Sequence, residues 1–328
     1  MGIDALSDVL KTVRLNGAIV FDIDAYAPWG VETPPPRLFA PLVMPEADHI
    51  IEYHVITEGC CYASVAGEQP VRVEAGTVVM FPQGDAQVLS NPAGLRRKFE
   101  LEEFEQARRA TPQLPIGIVT PGNGEHTHIV CGFLGCDAAP FNPLLAALPR
   151  MVCVSEALSL YESRIGQLAH FALAEAKSKR SGGESVLARL CELMFVEAVR
   201  RYVDTLTGDH AGWLAGLRDR HVGAALSLIH ARPSYDWTLD SLAREAGASR
   251  TVLAERFVHF VGTPPMQYLS RWRMQIAASL LCDGQANLAR IAEVVGYESE
   301  ASFSRAFKKV VGSPPGTWRR GRARRAVA

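Results

Sequence analysis

The sequence predicts an α+β multidomain chain in which a β-rich N-terminal barrel or sandwich is followed by an all-α C-terminal domain with two helix-turn-helix units. Three observations predict it. From about Ala18 to Leu134 short β-rich runs alternate with Gly and Pro turns, the pattern of a small sandwich or barrel. Apolar residues then recur at helical spacing up to Leu206. In the last third, Leu242, Ala243, Gly247, Phe257, Val261, Gly262, Thr263, Pro264 and Pro265 return as Ile291, Ala292, Gly296, Phe307, Val311, Gly312, Ser313, Pro314 and Pro315. The offset is 49 residues before the turn and 50 after it. Two copies are too few for a stable solenoid and point to a duplicated module.

Strands are expected at Ala18 to Ile23, His49 to Thr57, Cys61 to Val65, Val71 to Val73, Thr77 to Phe81, Gln87 to Leu89 and His126 to Leu134. The run Arg96 to Thr111, with alternating charge blocks, predicts an exposed loop or a helical insertion, and Thr120 to Glu125 a flexible Pro/Gly turn. Helices are expected over Glu156 to His170 and Glu184 to Leu206. The second bears a broad apolar stripe that includes Val186, Leu187, Leu190, Leu193, Met194 and Val199. A linker follows at Thr207 to Gly216, with Gly208, Gly212 and Gly216 supplying flexibility.

In each repeat, a small Ala on the first helix and a Gly in the turn allow two helices to cross closely. Leu239 to Ala246 forms the first helix of copy one; Ser249 can cap a second helix that buries Leu253 and Phe257. In copy two, Leu288 to Val295 precedes Gly296, Ser299 can cap, and Phe303 and Phe307 form an i, i+4 core pair. The Pro pairs stop each second helix, and Pro264 or Pro265 can start the next, Met266 to Leu281.

Charge separates the two parts. The chain holds 34 basic and 35 acidic residues, a net of −1. From Gly212 onward there are 17 Lys and Arg against 9 Asp and Glu, a net of +8, so the remainder carries −9. A basic module on an acidic body is the electrostatic footprint of a polyanion binder. With no 18-residue apolar run and no charged-then-apolar N-terminal signal, neither membrane insertion nor secretion is expected. Seven Cys without repeated spacing argue against a disulfide framework and fit a reducing cytoplasm.

Gly212 to Arg320 resembles the DNA-binding domain of the AraC/XylS family of bacterial transcription regulators. The stretch Ile291-Ala292-Glu293-Val294-Val295-Gly296-Tyr297-Glu298-Ser299, then Phe303-Ser304-Arg305-Ala306-Phe307-Lys308 and Gly312-Ser313-Pro314, is similar to that family's signature. The resemblance implies seven helices, with helix-turn-helix units at about 239–258 and 288–308. It also implies a long connector that holds two recognition helices roughly 34 Å apart, one DNA turn. By position, the first recognition helix presents Arg250, Thr251, Ala254 and Glu255, and the second Glu300, Ala301, Ser302, Ser304 and Arg305. Arg305 suits guanine, Glu255 or Glu300 cytosine N4, and Thr251 and the two Ala thymine methyls. Arg250, Arg256, Lys308, Lys309 and the tail Arg319, Arg320, Arg322, Arg324 and Arg325 suit phosphates; a solvated tail is the alternative for the last five.

Met1 to about Pro149 resembles the cupin-type sensory domain of some AraC-like regulators, through Asp4-Ala5-Leu6-Ser7, Pro28-Trp29, Val130-Cys131-Gly132-Phe133 and Asn142-Pro143-Leu144-Leu145. Gly76, Pro82, Gly84, Gln87 and Asn91 resemble the second cupin motif with its metal-binding His replaced by Gln; Glu52, Tyr53, His54, Glu58 and Gly67 form a degenerate first motif. The expected domains are thus a cupin-like effector domain at 1–150, a helical dimerisation segment and linker at 151–211, and a DNA-binding domain at 212–328. In the resembled family the central helices pack two subunits, which directs attention to Leu190, Met194 and Glu197; ordinary intradomain core is the alternative.

For the barrel, Glu52, His54, Glu58, Gln87 and His128 are the candidate effector residues. His54, His126 and His128 are candidates for a divalent ion such as Zn²⁺, and Cys131 and Cys136 for a redox switch. No cofactor is required. The expected function is a sequence-specific DNA-binding transcription regulator controlled by a small effector in the barrel. Double-stranded DNA, the effector, a second copy of the chain and, for an activator, RNA polymerase would be its partners, without a membrane. The competing readings are a redox- or metal-responsive regulator and a cupin metalloenzyme, which would need several His and a carboxylate on one ion.

Overall fold

The computed structural model describes residues 4–38, 40–110, 115–155, 163–178, 180–206, 211–284 and 286–325. In chain order, α1 (Ala5–Thr12) precedes β1 (Asn16–Tyr26), β2 (Trp29–Thr33), α2 (Ala40–Val43), β3 (His49–Glu58), β4 (Cys60–Val65), β5 (Val71–Glu74), β6 (Thr77–Phe81) and β7 (Gln87–Asn91). Next come α3 (Leu101–Ala110), β8 (Ile116–Thr120), β9 (His126–Cys136), α4 (Pro143–Ala147), β10 (Val152–Ser155), α5 (Arg164–Ser178) and α6 (Gly183–Thr205). The rest is helical: α7 (Trp213–Gly216), α8 (Arg220–Ala231), α9 (Leu239–Glu245), α10 (Arg250–Val261), α11 (Pro265–Asp283), α12 (Leu288–Val294), α13 (Glu300–Val311) and α14 (Pro315–Arg325).

Two compact units result: Leu15–Cys136 with Leu148–Thr205, and Met1–Arg14 with Asp137–Ala147 and Leu206–Ala328. The expected continuous domains, 1–150, 151–211 and 212–328, do not follow this division. Residues brought together explain why. Arg14 donates two hydrogen bonds to the Asp137 carboxylate, at 2.7 and 2.9 Å, His230 Nδ1 lies 2.9 Å from Asp8 Oδ2, and Gln275 Oε1 accepts from the Phe141 N–H at 3.0 Å. The N-terminal helix and the α4 segment thus pack with helices that come after residue 206.

The barrel unit consists of a six-stranded sheet, β10-β6-β3-β9-β1-β8, and a four-stranded sheet, β2-β7-β4-β5. All pairs are antiparallel except β1 with β8. All seven expected strands are present. β2, β8 and β10 were not expected: they are four or five residues long, and only a partner strand holds such segments extended. Phe21, Ile56, Val79, Phe81, Ile129 and Phe133 fill the interior. The charged run 96–111 does form a helical insertion, α3, whose Phe104 is buried in that core.

Helix α6 packs against β1, β10 and α5. Gly17 makes this approach possible, because a Cβ there would lie 2.3 Å from Cys191 Cβ; Tyr53 donates to Cys191 Sγ at 2.9 Å in the same contact. Most of the apolar stripe of α6 is therefore intradomain core, while Val186 and Leu193 of that stripe are exposed. Leu190, Met194 and Glu197 are buried within their own subunit, and Glu197 is ringed by Arg164, Arg200 and Arg201 at 3.5 to 3.8 Å. Solvent instead meets Phe171 and Leu193, each 53% exposed. The expected residues 156–162 of the first central helix and 207–210 of the linker lie outside the described residues.

Candidate nucleic-acid interface and barrel cavity

In the helical unit the local rules are obeyed residue by residue. Ser249 and Ser299 cap α10 and α13 by accepting from Val252 and Ser302 N–H. Gly262 and Gly312, at φ 74° and 87°, end those helices in the left-handed region. Pro265 starts α11. Leu253, Phe257, Phe303 and Phe307 are fully buried, so the opposite faces of α10 and α13 look outward. Helix α11 contacts α10 on one side of the repeat and α12 and α13 on the other, and thus joins the two helix-turn-helix units.

On α10, Arg250, Thr251 and Glu255 are exposed and Ala254 is half-buried; on α13, Glu300, Ala301, Arg305 and Lys308 are exposed, with Ser302 and Ser304 half-buried. Ser302 is partly consumed by capping, since its hydroxyl donates to Ser299 O at 2.8 Å. The cations differ between the helices. Arg250 reaches Asp240 at 3.5 Å, and Arg256 is paired with Asp219. That carboxylate also caps α8 through His221 and Val222 N–H. Among the described residues no ion pair involves Arg305, Lys308 or Lys309. Of the tail, Arg319 donates to Ala286 O at 2.7 Å and Arg322 lies 3.5 Å from Asp137. The side chains of Arg324 and Arg325 are outside the described residues.

The barrel unit encloses a cavity of about 600 Å³. Phe21, Ile23, Trp29, Phe99, Phe104 and Phe133 supply apolar wall, Glu52, His54 and Cys131 a polar patch, and Arg96, Arg97 and Lys98 a basic edge. Cross-strand register makes the patch: His54 is directly opposite Cys131, so both point to one face. His54 Nδ1 lies 2.8 Å from Cys131 Sγ, and Nε2 lies 2.9 Å from Gln87 Oε1 and 3.7 Å from Glu52 Oε1. Burial pushes the His54 imidazole down to about 4, opposed by the bond to Gln87. Burial likewise pushes the Glu52 carboxyl up to about 8, against a hydrogen bond from Gln87. At neutral pH both are uncharged.

Other expected members of the patch are elsewhere. His126 and His128 project from the opposite face of β9, where they meet Asp24 and Asp22 at 2.8 and 2.7 Å. Thr57 also bonds His128, and the Asp22 carboxylate, mainly through its hydrogen bond, raises the His128 imidazole. The side chain of Glu58 is 68% exposed and approaches His126 at 3.6 Å. Glu52, His54 and Gln87 are thus brought together, whereas Glu58 and His128 are not. The imidazoles of His54, His126 and His128 do not converge, and among the described residues no group of three His, Cys, Asp or Glu suits a metal ion. Inside, the donor set is one imidazole, one protonated carboxyl, one thiol held protonated by burial and an amide, which does not fit a cupin metal centre.

Cys131 and Cys136 are also a correction. They stand five residues apart in one continuous strand, on opposite faces and roughly 17 Å apart at about 3.4 Å per residue, too far for a disulfide. Burial raises the Cys131 thiol well above its ordinary value, the opposite of a reactive thiolate. Trp29, Phe21 and Phe104 also line the cavity; in the sequence only the first carries a signal, the Pro28-Trp29 pair.

Matches to known proteins cover most of the chain. Residues 4–204 match a family model described as a cupin, and residues 242–321 one described as a helix-turn-helix domain. An AraC-like transcription regulator of Streptomyces lividans is 30% identical over 324 residues, covering 97% of this chain and 98% of the relative. The chain belongs to the AraC family of transcription regulators. An HTH-type transcriptional regulator of Acinetobacter baylyi, AlkR, is 28% identical over 96% of this chain and 99% of its own. Among solved structures, a transcriptional regulator of the AraC type from Chromobacterium violaceum is 28% identical, covers 31% of this chain and 90% of that chain, and has a TM-score of 0.29. This AraC-family chain thus pairs a β-rich cupin domain with a helix-turn-helix DNA-binding domain, and among its described residues no helix is long and apolar enough to cross a membrane.

Proposed function

We propose that this AraC-family regulator reads duplex DNA through α10 and α13 and that a small molecule in the barrel cavity controls that reading. The observation that carries the proposal is the pairing of two identically punctuated helices, each with an exposed polar face, on the single connector α11. In this reading Arg250, Thr251, Ala254 and Glu255 face one major groove and Glu300, Ala301, Ser302, Ser304 and Arg305 the next. Lys308 and Lys309 hold phosphates.

Control would run as a population shift. Strands β1 and β9 pair with one another and carry Phe21, Ile23, Cys131 and Phe133 on the cavity wall. The chain passes from β1 back to α1 and from β9 on to α4, both of which pack with the DNA-binding helices. A ligand that alters the strands therefore acts on two segments of the DNA-binding unit through the backbone. A cytoplasmic homodimer without enzymatic activity, contacting RNA polymerase when it activates, completes the proposal. The exposed Phe171 and Leu193, not the buried Leu190 and Met194, are where a dimer contact would lie.

Selection of bound sequences from a duplex library at about 50 and 200 mM salt tests the reading. The expected result is a site with two short blocks about one helical turn apart and an affinity that falls steeply with salt. Sequence-independent binding at both concentrations would contradict it.

A further inference from the structure

The barrel cavity contains a hydrogen-bond imbalance. Gln87 brings Oε1 and Nε2 to 2.9 and 2.7 Å from His54 Nε2, and Cys131 Sγ lies 2.8 Å from Nδ1; with protons assigned to suit these buried groups, the thiol donates to Nδ1 and Nε2–H donates to Gln87 Oε1. The carboxyl of Glu52 stands beside this cluster, its Oε1 3.7 Å from His54 Nε2, and its Oε2 has no partner. Trp29, from the other sheet, lines the same cavity, and its buried Nε1–H is unpartnered. Glu52 is 3% and Trp29 8% exposed. An indole nitrogen only donates, and a protonated carboxyl oxygen donates as well. Two buried donors without acceptors destabilise the folded barrel, and a ligand that accepts from them offsets part of that loss.

We propose that the cavity takes an uncharged, largely apolar small molecule that presents a carbonyl or equivalent acceptor oxygen to Glu52 and Trp29. The proposal rests on the reading of the barrel as the effector site. Charge is disfavoured because Phe21, Phe99, Phe104 and Phe133 offer it no hydration, and neither Glu52 nor His54 carries a countercharge at neutral pH. Among the described residues the cations on the wall are Arg96, Arg97 and Lys98, exposed at its edge, and Arg96 already faces Glu32 at 3.9 Å. A volume of about 600 Å³ is ample for a bicyclic compound.

Calorimetric titration of the full chain with four naphthalenes of matched shape tests this: 2-acetylnaphthalene, 2-ethylnaphthalene, 2-naphthoate and 2-naphthylmethylammonium. The ketone should bind most tightly, about 5- to 10-fold above the hydrocarbon, with both ions weaker still. Trp29→Phe and Glu52→Leu should each remove most of the ketone's advantage. Unchanged binding of 2-ethylnaphthalene shows that the variant cavity is still formed. Affinity for the ketone should be flat at neutral pH and fall as pH rises through about 8, where Glu52 loses its proton. His54 and Cys131, the other titratable groups at the patch, stay uncharged across that range; the edge cations Arg96, Arg97 and Lys98 also face the cavity.

Tighter binding of either ion, equal binding of ketone and hydrocarbon, or binding of none at millimolar concentration overturns the proposal. The same ligands added to a DNA titration separate it from the effector reading. If naphthoate alone alters DNA affinity, the barrel is an effector site and the ligand class is wrong. If the ketone binds as expected and DNA affinity is unmoved for every ligand, the ligand class stands and effector control does not.

Discussion

The two helix-turn-helix copies share a skeleton and differ on their surfaces. Each has a Ser cap, a left-handed Gly in the turn, a left-handed Gly at the end and a Pro that starts the next helix. These positions answer to backbone geometry, which leaves little choice. Outside them the copies diverge: α10 exposes Val252 and Val258 and has two arginines held by Asp240 and Asp219, while α13 presents Arg305, Lys308 and Lys309 without an ion pair among the described residues. One scaffold thus carries a helix whose two arginines face its own unit's carboxylates and another whose cations have no ion pair among the described residues.

The largest expected effects test the shared skeleton. Phe257→Ala and Phe307→Ala each empty a fully buried site, and each should cost about 3–5 kcal/mol in denaturant unfolding of the full chain. A value below about 1 kcal/mol for either would show that its copy is not a packed core.

A second pair of variants should separate the copies. Gly247 and Gly296 both have positive φ, 69° and 77°. A Cβ at Gly247 meets nothing within 4 Å, but at Gly296 it would lie 2.6 Å from Ser234 O and 2.8 Å from Ser234 Cα. Gly247→Ala should cost only the left-handed penalty, about 1–2 kcal/mol. Gly296→Ala adds a backbone clash and should cost about 3 kcal/mol. Equal losses would remove the distinction.

Smaller effects belong to the caps. The α9 cap Thr238 is in a reciprocal capping box with Ser241, whereas the α12 cap Asn287 accepts from Arg290 N–H alone. Either change to Ala should lower stability by about 1 kcal/mol. The Thr238 variant also loses the bond from its hydroxyl to Ser241 Oγ, so a larger loss there is expected.

The same contrast explains what was legible in the sequence. Ser249, Ser299, Gly262, Gly312 and the Pro pairs act on their immediate neighbours, and the helices they bound lie within three residues of the expected positions. The inside and outside of the barrel depend instead on register. His54 is opposite Cys131, and an irregularity between Ile56 and Glu58 puts Glu58 opposite His128; neither pairing is written in the spacing of the residues. The strand β9 did reveal that His126 and His128 share a face, but not that it is the face away from His54. Phe104 was hidden by the charges around it. The Asp8–His230 contact joins residues 222 apart, beyond the reach of any local rule, which is why α1 was expected with the barrel.

The contrast between the two readers is tested most directly by binding of the full chain to its selected duplex and to versions scrambled in one block at a time. Arg305→Ala should lose about 1–3 kcal/mol on the intact site. It should also become indifferent to scrambling of one block, while Arg250→Ala, already tied to Asp240, changes affinity by less and leaves both blocks readable. If Arg305→Ala weakens every duplex equally and still discriminates both blocks, α13 does not read bases through Arg305 and the account is wrong.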